Sequence, residues 1–241
     1  MPQYRSRYRT SFIHDYFPPG LKWLLISNTV VFLLEFIGLR QPMITLFGLY
    51  AEGAVHNWFV WQIFTYMFLH NDPMHLLFNM LSLWFFGTQL ERDWGTRRFL
   101  KYYFLCGMAA GVCVLAVNIA VGVWGYPTIG ASGAVLGVLV AFGVLYPNQT
   151  VLMNFLFPIK AKYMVMIYAA LEFLLAFGSN TGVSRVAHLG GMAFGYVYLK
   201  GRLPRLRLPD VGGVYRQWKL QRAKKKFQVY MRKHGGGPRV N

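Results

Sequence analysis

Six blocks of apolar residues, each close to the length of a membrane-crossing helix, dominate this sequence. An α-helix rises about 1.5 Å per residue, so about 20 apolar residues cross the roughly 30 Å hydrocarbon core of a bilayer. The blocks cover residues 21–39, 74–90, 98–123, 130–147, 163–178 and 184–200. The sequence therefore predicts an all-α polytopic membrane protein, a bundle of six transmembrane helices with a long first external loop over residues 41–73.

Composition narrows the class further. Of the 241 residues, 55% are hydrophobic and only 14% are charged, yet the formal net charge is +17. Soluble domains carry about 25% charged residues, and nucleic-acid-binding domains are basic without being this apolar. We therefore expect a membrane protein whose basic residues bind lipid headgroups rather than nucleic acid.

Lysine and arginine are concentrated in alternate connections between the blocks. They occupy the leader (1–20), the turns at 91–101 and 158–162, and the tail after residue 200. Because basic segments stay on the cytoplasmic side of a membrane, both termini are predicted to be cytoplasmic. The chain then divides into a basic, aromatic leader, a membrane domain (21–200) and a basic amphipathic tail (201–241) expected to bind anionic headgroups.

Four polar residues stand at the starts of predicted spans: Ser132, His188, His75 and Asn79. Polar side chains are costly inside a bilayer and mark functional sites by default. Spans two, four and six all run in the same direction, so the four residues are expected at one shallow depth below the external face.

Glycine pairs predict that spans four and six touch. One GxxxG pattern directly follows Ser132, and another begins three residues after His188. The glycines are Gly133, Gly137, Gly191 and Gly195. Such pairs let two helix backbones approach closely, although the pattern is common in membrane helices. If these helices touch, Ser132 and His188 meet.

A serine beside a neutral histidine is a nucleophile beside its general base, which is the minimum for acyl transfer. The sequence places no carboxylate clearly beside the imidazole, so a two-residue dyad is the expectation. The oxyanion of the intermediate needs hydrogen-bond donors. The Ser132 backbone N–H, the Asn79 amide and a His75 ring N–H are candidates, and Asp72 and Pro73 suit the start of the helix that carries the last two.

Three motifs together resemble one family. GASG around Ser132, AHLGG around His188 and HxxxN from His75 to Asn79 are similar to the rhomboid intramembrane serine proteases. The resemblance implies a serine endopeptidase that cleaves single-span or polytopic membrane proteins within or near the bilayer, with no metal or other cofactor. It also implies that Ser132 is the nucleophile, His188 the base, and Asn79 and His75 oxyanion donors.

The same resemblance covers further positions. It implies that Gly130 shapes the nucleophile turn, and it places His70 at a recurring polar position with a supporting role. Glu91 is expected to be structural, pairing with a nearby base or with backbone donors. The chain departs from the family pattern at Gln62, where many members carry Arg, and at Leu136, where many carry Tyr. Neither departure removes a reacting group.

Other interpretations stay open at this stage. A catalytically inactive relative would bind or escort membrane proteins, and a transporter could use His70, His75 and His188 as ligands or proton carriers. His70 could also be a loop residue among the headgroups, and Glu35 and Glu172 receive no partner from the sequence. Since no organelle-targeting leader is recognisable, the expected location is a bacterial cytoplasmic membrane, with the protein as a multi-pass integral component.

Overall fold

The computed structural model describes residues 16–153, 156–176, 182–201 and 220–224. This part of the chain is mainly helical. The α-helices are α1 Pro19–Leu34, α2 Arg40–Phe47, α3 Ala51–Val55, α4 Gln62–Thr65, α5 Pro73–Trp94, α6 Thr96–Ala120, α7 Ser132–Leu145, α8 Ala161–Ala176 and α9 Gly182–Leu199. A π-helical turn (Glu35–Leu39) joins α1 to α2, and a 3-10 turn (Tyr66–Phe68) follows α4. The structure also contains two short strands, β1 Thr150–Met153 and β2 Phe157–Lys160.

A helix of 14 to 25 residues lies at each of the six predicted apolar blocks. Among the described residues, the helical stretches Pro19–Phe47 and Thr96–Ala120 are long and apolar enough to cross a membrane, and Ser132–Leu145 is a shorter apolar helix. The predicted helix start before the HxxxN motif is confirmed. Asp72 accepts a hydrogen bond from the His75 backbone N–H at 2.9 Å, and Pro73 begins α5.

Helix α7 lies at the centre of the bundle, and most of its residues are buried. It contacts α9 backbone to backbone, as the glycine pairs predict. A Cβ placed on Gly191 would lie 2.7 Å from the carbonyl carbon of Gly133 and 3.1 Å from its Cα. A Cβ on Gly133 would also lie 3.2 Å from the carbonyl oxygen of Ala187. The two helices can lie this close because neither has a side chain at the contact.

The first apolar block is not one straight helix. The prediction of a continuous span over 21–39 is wrong at its end, where the π-helical turn interrupts it and Gly38 has a φ of 102°. Glycine accepts this conformation because it has no Cβ, and hydropathy alone does not detect the change. The kink brings Glu35 and Arg40 towards the 41–73 connection.

The 41–73 connection is folded and packs next to the start of α7. Gln62 is fully buried, and its side-chain amide donates to the backbone oxygens of Thr45 at 3.3 Å and Leu46 at 3.4 Å. Its Oε1 accepts from the Tyr50 backbone N–H at 3.3 Å. Gln62 therefore holds this loop together with neutral hydrogen bonds.

A β-hairpin stands where only a turn was expected. Strands β1 and β2 pair antiparallel, with Val151 opposite Ile159, so the all-helical prediction is wrong for these residues. The strands are too short to give a clear alternating pattern in the sequence.

The predicted leader and tail lie largely outside the described residues. Residues 204–241 form a unit separate from residues 1–203. Within the tail only residues 220–224 are described, and they are helical.

Candidate active site

Ser132 and His188 lie in contact, although 56 residues separate them in the sequence. Ser132 Oγ lies 2.7 Å from His188 Nε2, and both side chains are partly buried. Ser132 is the first residue of α7 and His188 lies in α9, so the glycine contact between these helices fixes the distance. The geometry allows a proton to pass from the hydroxyl to the ring.

Gly130 forms the turn that leads into α7. Its φ is 119°, and a Cβ at this position would lie 2.7 Å from His75 Cε1 and 2.8 Å from His75 Nε2. Its backbone N–H donates to the Tyr66 carbonyl oxygen at 2.9 Å, which ties the turn to the 41–73 connection. Only glycine fits both the backbone conformation and the ring that packs against it.

The His75 ring has a defined tautomer when it is neutral. Its Nδ1 accepts a hydrogen bond from the Asn71 backbone N–H at 3.2 Å. The proton of the neutral imidazole is therefore on Nε2, the nitrogen that faces Gly130. This directs an N–H donor towards the turn that precedes Ser132.

Asn79 lies one turn further along α5 and is buried. Its Nδ2 donates to the His75 carbonyl oxygen at 2.9 Å, which uses one of the two amide N–H bonds. The side chain lines the same cavity as Ser132 and His188. The second N–H of the amide is therefore placed in the wall of that cavity.

His70 is fully buried rather than placed in headgroups. Its ring packs edge-on against His75, with the centroids 5.0 Å apart, and its Nδ1 lies 3.3 Å from the Phe68 carbonyl oxygen. Burial is the main cause that lowers the pKa of His70 to about 4, and the nearby His75 adds to the effect. At neutral pH the ring is therefore uncharged, and it supports His75 from behind.

Three of the four glutamates, which the sequence left without a defined partner, have one in the structure. Glu91 accepts from the backbone N–H groups of Gly20 at 2.7 Å and Leu21 at 2.6 Å, which agrees with its predicted structural role. Glu35 accepts from the His70 backbone N–H at 3.3 Å. Glu172 Oε2 lies 2.9 Å from His188 Nδ1.

The Glu172 contact was missed by sequence reasoning. A glutamate inside an apolar block is a functional candidate by default, and that signal was present. Its partner lies on another helix, however, and spacing along one helix does not show which faces of two helices meet. No carboxylate could be assigned to the imidazole from the sequence, whereas the structure has Glu172 beside it.

A cavity of about 680 Å³ opens between α5, α7 and α8. Ser132, His188, His75, Asn79 and Glu172 lie in its wall, and the remaining lining is mainly apolar. Leu136, one turn after Ser132, is part of this apolar lining. Within the described ranges, no group of three or more His, Cys, Asp or Glu side chains is arranged to hold a metal ion. The cavity can accept an apolar chain and present polar groups at one place along it.

A helical bundle with a serine and histidine paired in an apolar cavity defines a class of candidate membrane-embedded hydrolases, and comparison with known proteins gives the family. A model of the Rhomboid domain matches residues 57–205, which is more than half of the chain. The chain belongs to the rhomboid family. Proteins of this family are integral membrane proteins and are generally intramembrane serine proteases.

Relatives come from bacteria and from mitochondria. The Bacillus subtilis rhomboid protease GluP is 31% identical over 182 residues, covering 74% of this chain and 34% of that protein. RHOMBOID-like protein 12, mitochondrial, of Arabidopsis thaliana is 28% identical over 187 residues, covering 70% of this chain and 54% of that protein. Rhomboid protein 1, mitochondrial, of Saccharomyces cerevisiae is 35% identical over 141 residues, covering 54% of this chain and 38% of that protein. This chain thus spans between about a third and about half of their lengths.

Proposed function

We propose that this protein is an intramembrane serine endopeptidase that cleaves membrane-protein substrates within or near the bilayer. Ser132 is the nucleophile and His188 is the general base. The observation that carries the proposal is the 2.7 Å contact between Ser132 Oγ and His188 Nε2 in the wall of an apolar cavity. Membership of a family of intramembrane serine proteases supports it.

In the acylation step, Ser132 Oγ bonds to the carbonyl carbon of the scissile peptide while its proton passes to His188 Nε2. The carbonyl electrons move onto the oxygen and give a tetrahedral oxyanion. When the oxyanion collapses, the C–N bond breaks and the leaving nitrogen takes the proton from Nε2. One fragment leaves as an amine and the other remains as an ester on Ser132.

In the deacylation step, a water molecule loses a proton to His188 Nε2 and its oxygen bonds to the ester carbon. The bond to Ser132 Oγ then breaks, and Oγ takes the proton back from Nε2. The second fragment leaves as a carboxylic acid, and both side chains return to their starting states.

The oxyanion needs donors, and three groups are proposed to supply them. The Ser132 backbone N–H lies at the positive end of α7, which favours negative charge. The N–H on His75 Nε2 faces the Gly130 turn, and the Asn79 amide has a second N–H beyond the one bonded to His75. Gly130 shapes the turn and His70 supports the His75 ring. Preorganised donors of this kind each contribute about 3–4 kcal/mol to lowering the barrier.

The six long helices are proposed to cross the bilayer as one membrane domain (21–200), with both termini cytoplasmic. Large apolar side chains point outward from the helices, which suits contact with lipid. On α1, Trp23 is 68% exposed, and on α8, Met166 and Leu174 are 64% and 67% exposed. The leader (1–20) and the basic tail (201–241) would lie on anionic headgroups, and a bacterial cytoplasmic membrane is the proposed location.

A substrate segment is proposed to reach Ser132 between α5 and α8, because both helices line the cavity. A fully hydrogen-bonded helix hides its peptide bonds, so the segment must unwind locally before it reacts. Single-span and polytopic membrane proteins with helix-weakening residues near the external face are therefore the proposed substrates.

The test is cleavage of a tagged single-span reporter by the purified protein in detergent. Ser132→Ala and His188→Ala are each expected to abolish cleavage, while Ser27→Ala on α1 is the matched control and should cut normally. Cleavage by Ser132→Ala would falsify the assignment of the nucleophile. If folded wild type binds a panel of reporters and cuts none, an escort function replaces the peptidase.

A further inference from the structure

A cluster of three charged or titratable side chains lies at the cavity, and two of them, Glu172 and His188, line its wall. Glu172 comes from α8, and Arg185 and His188 come from α9. Arg185 Nη1 lies 3.1 Å from both carboxylate oxygens of Glu172. The Glu172 Oε2 also lies 2.9 Å from His188 Nδ1. The carboxylate thus has an arginine on one side and the imidazole of the general base on the other.

The burial of Glu172 requires compensation, which the two partners provide. The residue is 8% exposed, and a buried carboxylate is costly unless it is paired and hydrogen-bonded. Arg185 provides the opposite charge. A link between α8 and α9 alone would need only this pair, so the approach of Oε2 to the imidazole is an additional feature of the geometry.

His188 needs a partner for its second ring nitrogen. Nε2 contacts Ser132, whereas Nδ1 is buried and has no well-aligned hydrogen-bond acceptor among the described residues. Although Oε2 is within hydrogen-bonding distance at 2.9 Å, the ring N–H does not point directly at it. A small shift of the carboxylate would align the two groups. When Nε2 receives a proton, Nδ1 also carries one, and an acceptor beside it stabilises the resulting imidazolium.

We propose that Glu172 is a positioning residue for His188. Its carboxylate accepts the Nδ1–H, so Nε2 stays unprotonated and faces Ser132 before the reaction, and it stabilises the imidazolium that forms during acylation. Glu172 takes no proton in either step. Arg185 holds the carboxylate in place. Ser132 and His188 remain the reacting pair, Glu172 orients the histidine, and this inference rests on the proposed function.

Glu172→Gln tests the inference because Arg185 determines how the new amide orients. A guanidinium has only donors, so it takes the amide oxygen and turns the NH₂ group towards His188 Nδ1. A donor at that position favours the wrong tautomer, with the proton on Nε2. We expect kcat to fall by about 10²–10⁴-fold, the range for loss of correctly placed acid–base catalysis, while KM changes by less than about twofold.

The double variant Glu172→Gln with Arg185→Leu provides the decisive comparison. Without the guanidinium, the amide can rotate and offer its oxygen to Nδ1. Cleavage by the double variant is therefore expected to exceed that of Glu172→Gln by about tenfold, because the amide oxygen can then accept the Nδ1 proton and restore the correct tautomer. If the glutamate only links α8 to α9, the double variant gains nothing over the single one.

The readouts are kcat and KM on the reporter, thermal unfolding, and the rate at which a fluorophosphonate probe labels Ser132, which does not depend on substrate binding. Asp93→Asn, which removes a carboxylate that contacts the Tyr146 hydroxyl, is the control for loss of charge. Wild-type kcat in Glu172→Gln, or an equally impaired double variant, overturns the inference.

If Glu172→Gln does not fold, Glu172→Asp replaces it, because the shorter side chain can still pair with Arg185 but withdraws from Nδ1. It should then lower kcat with little change in KM, and an unchanged kcat overturns the inference. If wild type neither cuts nor reacts with the probe, the proposed function itself fails. Active wild type with inactive Ser132→Ala and unaffected Glu172→Gln would refute only the role of Glu172.

Discussion

Two buried carboxylates, Glu35 and Glu172, each lie near one arginine and one histidine, yet they contact different parts of the histidine. Glu35 accepts from the backbone N–H of His70, while the His70 ring turns to the Phe68 carbonyl oxygen. Glu172 instead approaches the ring nitrogen of His188. The first cluster therefore fixes a segment of backbone, and the second can affect the protonation of a side chain. The same three residue types give different chemistry according to which atom the carboxylate meets.

The largest expected difference between the two clusters is in the histidines. His188→Ala should lower kcat/KM by about 10⁴-fold or more, since it removes the proposed general base. His70→Ala should leave detectable cleavage and lower the free energy of unfolding by about 2–4 kcal/mol, because it leaves a cavity in a packed region. Reporter cleavage and chemical denaturation of both variants measure this. If His70→Ala lost as much activity as His188→Ala while its stability stayed unchanged, the proposed difference between the two histidines would be wrong.

The second prediction is that His70, in the Glu35 cluster, makes the stability of the protein depend on pH. His70 has a folded-state pKa of about 4 because it is buried, whereas its ordinary value is about 6.5. The unfolded chain takes up a proton on His70 below pH 6.5 and the folded protein does not until about pH 4. The contribution of His70 to the free energy of unfolding is therefore fully present above pH 6.5 and is lost as pH falls towards 4. The total loss is about 3 kcal/mol, at about 1.4 kcal/mol per pKa unit.

Denaturation at pH 7, 5.5 and 4.5 tests this slope, and His70→Gln should flatten it. Asp72 acts in a different range. The backbone N–H of His75 lowers its pKa, so its contribution is present at neutral pH and is lost only as pH falls below its ordinary value near 4. An unchanged slope in His70→Gln would show that His70 is not the group responsible.

The glutamates should separate stability from rate. Glu35→Gln is expected to lower the free energy of unfolding by about 1 kcal/mol, because the amide oxygen can still accept the buried N–H but carries no charge, and to change kcat by less than about twofold. This is the reverse of the pattern expected for Glu172→Gln. Thermal unfolding and kcat on the same preparations make the comparison. A drop in kcat without a drop in stability at Glu35 would remove the distinction.

The arginines should show the smallest effects. Arg40 Nη1 lies 3.8 Å from Glu35 Oε2 and its side chain is 41% exposed, so Arg40→Leu should cost less than about 1 kcal/mol. Arg185 lies closer to its carboxylate, at 3.1 Å, and is more buried, so Arg185→Leu should cost more. Denaturation midpoints of the two variants test the order. A larger loss for Arg40→Leu would mean that its hydrogen bond to Asn71 is the stronger contribution.

Much of the fold could be predicted because the helices carry their own signals. The apolar block at 74–90 corresponds to α5, and the Asp72–Pro73 start is confirmed by the hydrogen bond from His75. The glycine pairs predicted the contact between α7 and α9 because small residues at fixed spacing have a direct steric consequence.

Other features gave no such signal. The kink at Gly38 lies within apolar sequence, so hydropathy does not detect it. The hairpin around Val151 is too short for its alternation to stand out. Glu172 was visible as a charged residue in an apolar helix, but its distance from His188 depends on how α8 and α9 rotate against each other, which no single segment encodes. The catalytic roles of the site residues stay predictions until the variants are measured.

The contact between Gly133 and Gly191 sets the distance between nucleophile and base through the backbone, so side chains at other positions have little effect on it. Two backbones that touch directly contain no rotamer that could absorb a change in their spacing. Neighbouring positions can be redesigned if a larger side chain at one is matched by a smaller one at another, as in any packed core. At Gly133 and Gly191 there is no side chain that could be made smaller to compensate. An engineered version of the protein could therefore vary the cavity widely for new substrates while these two positions remain glycine.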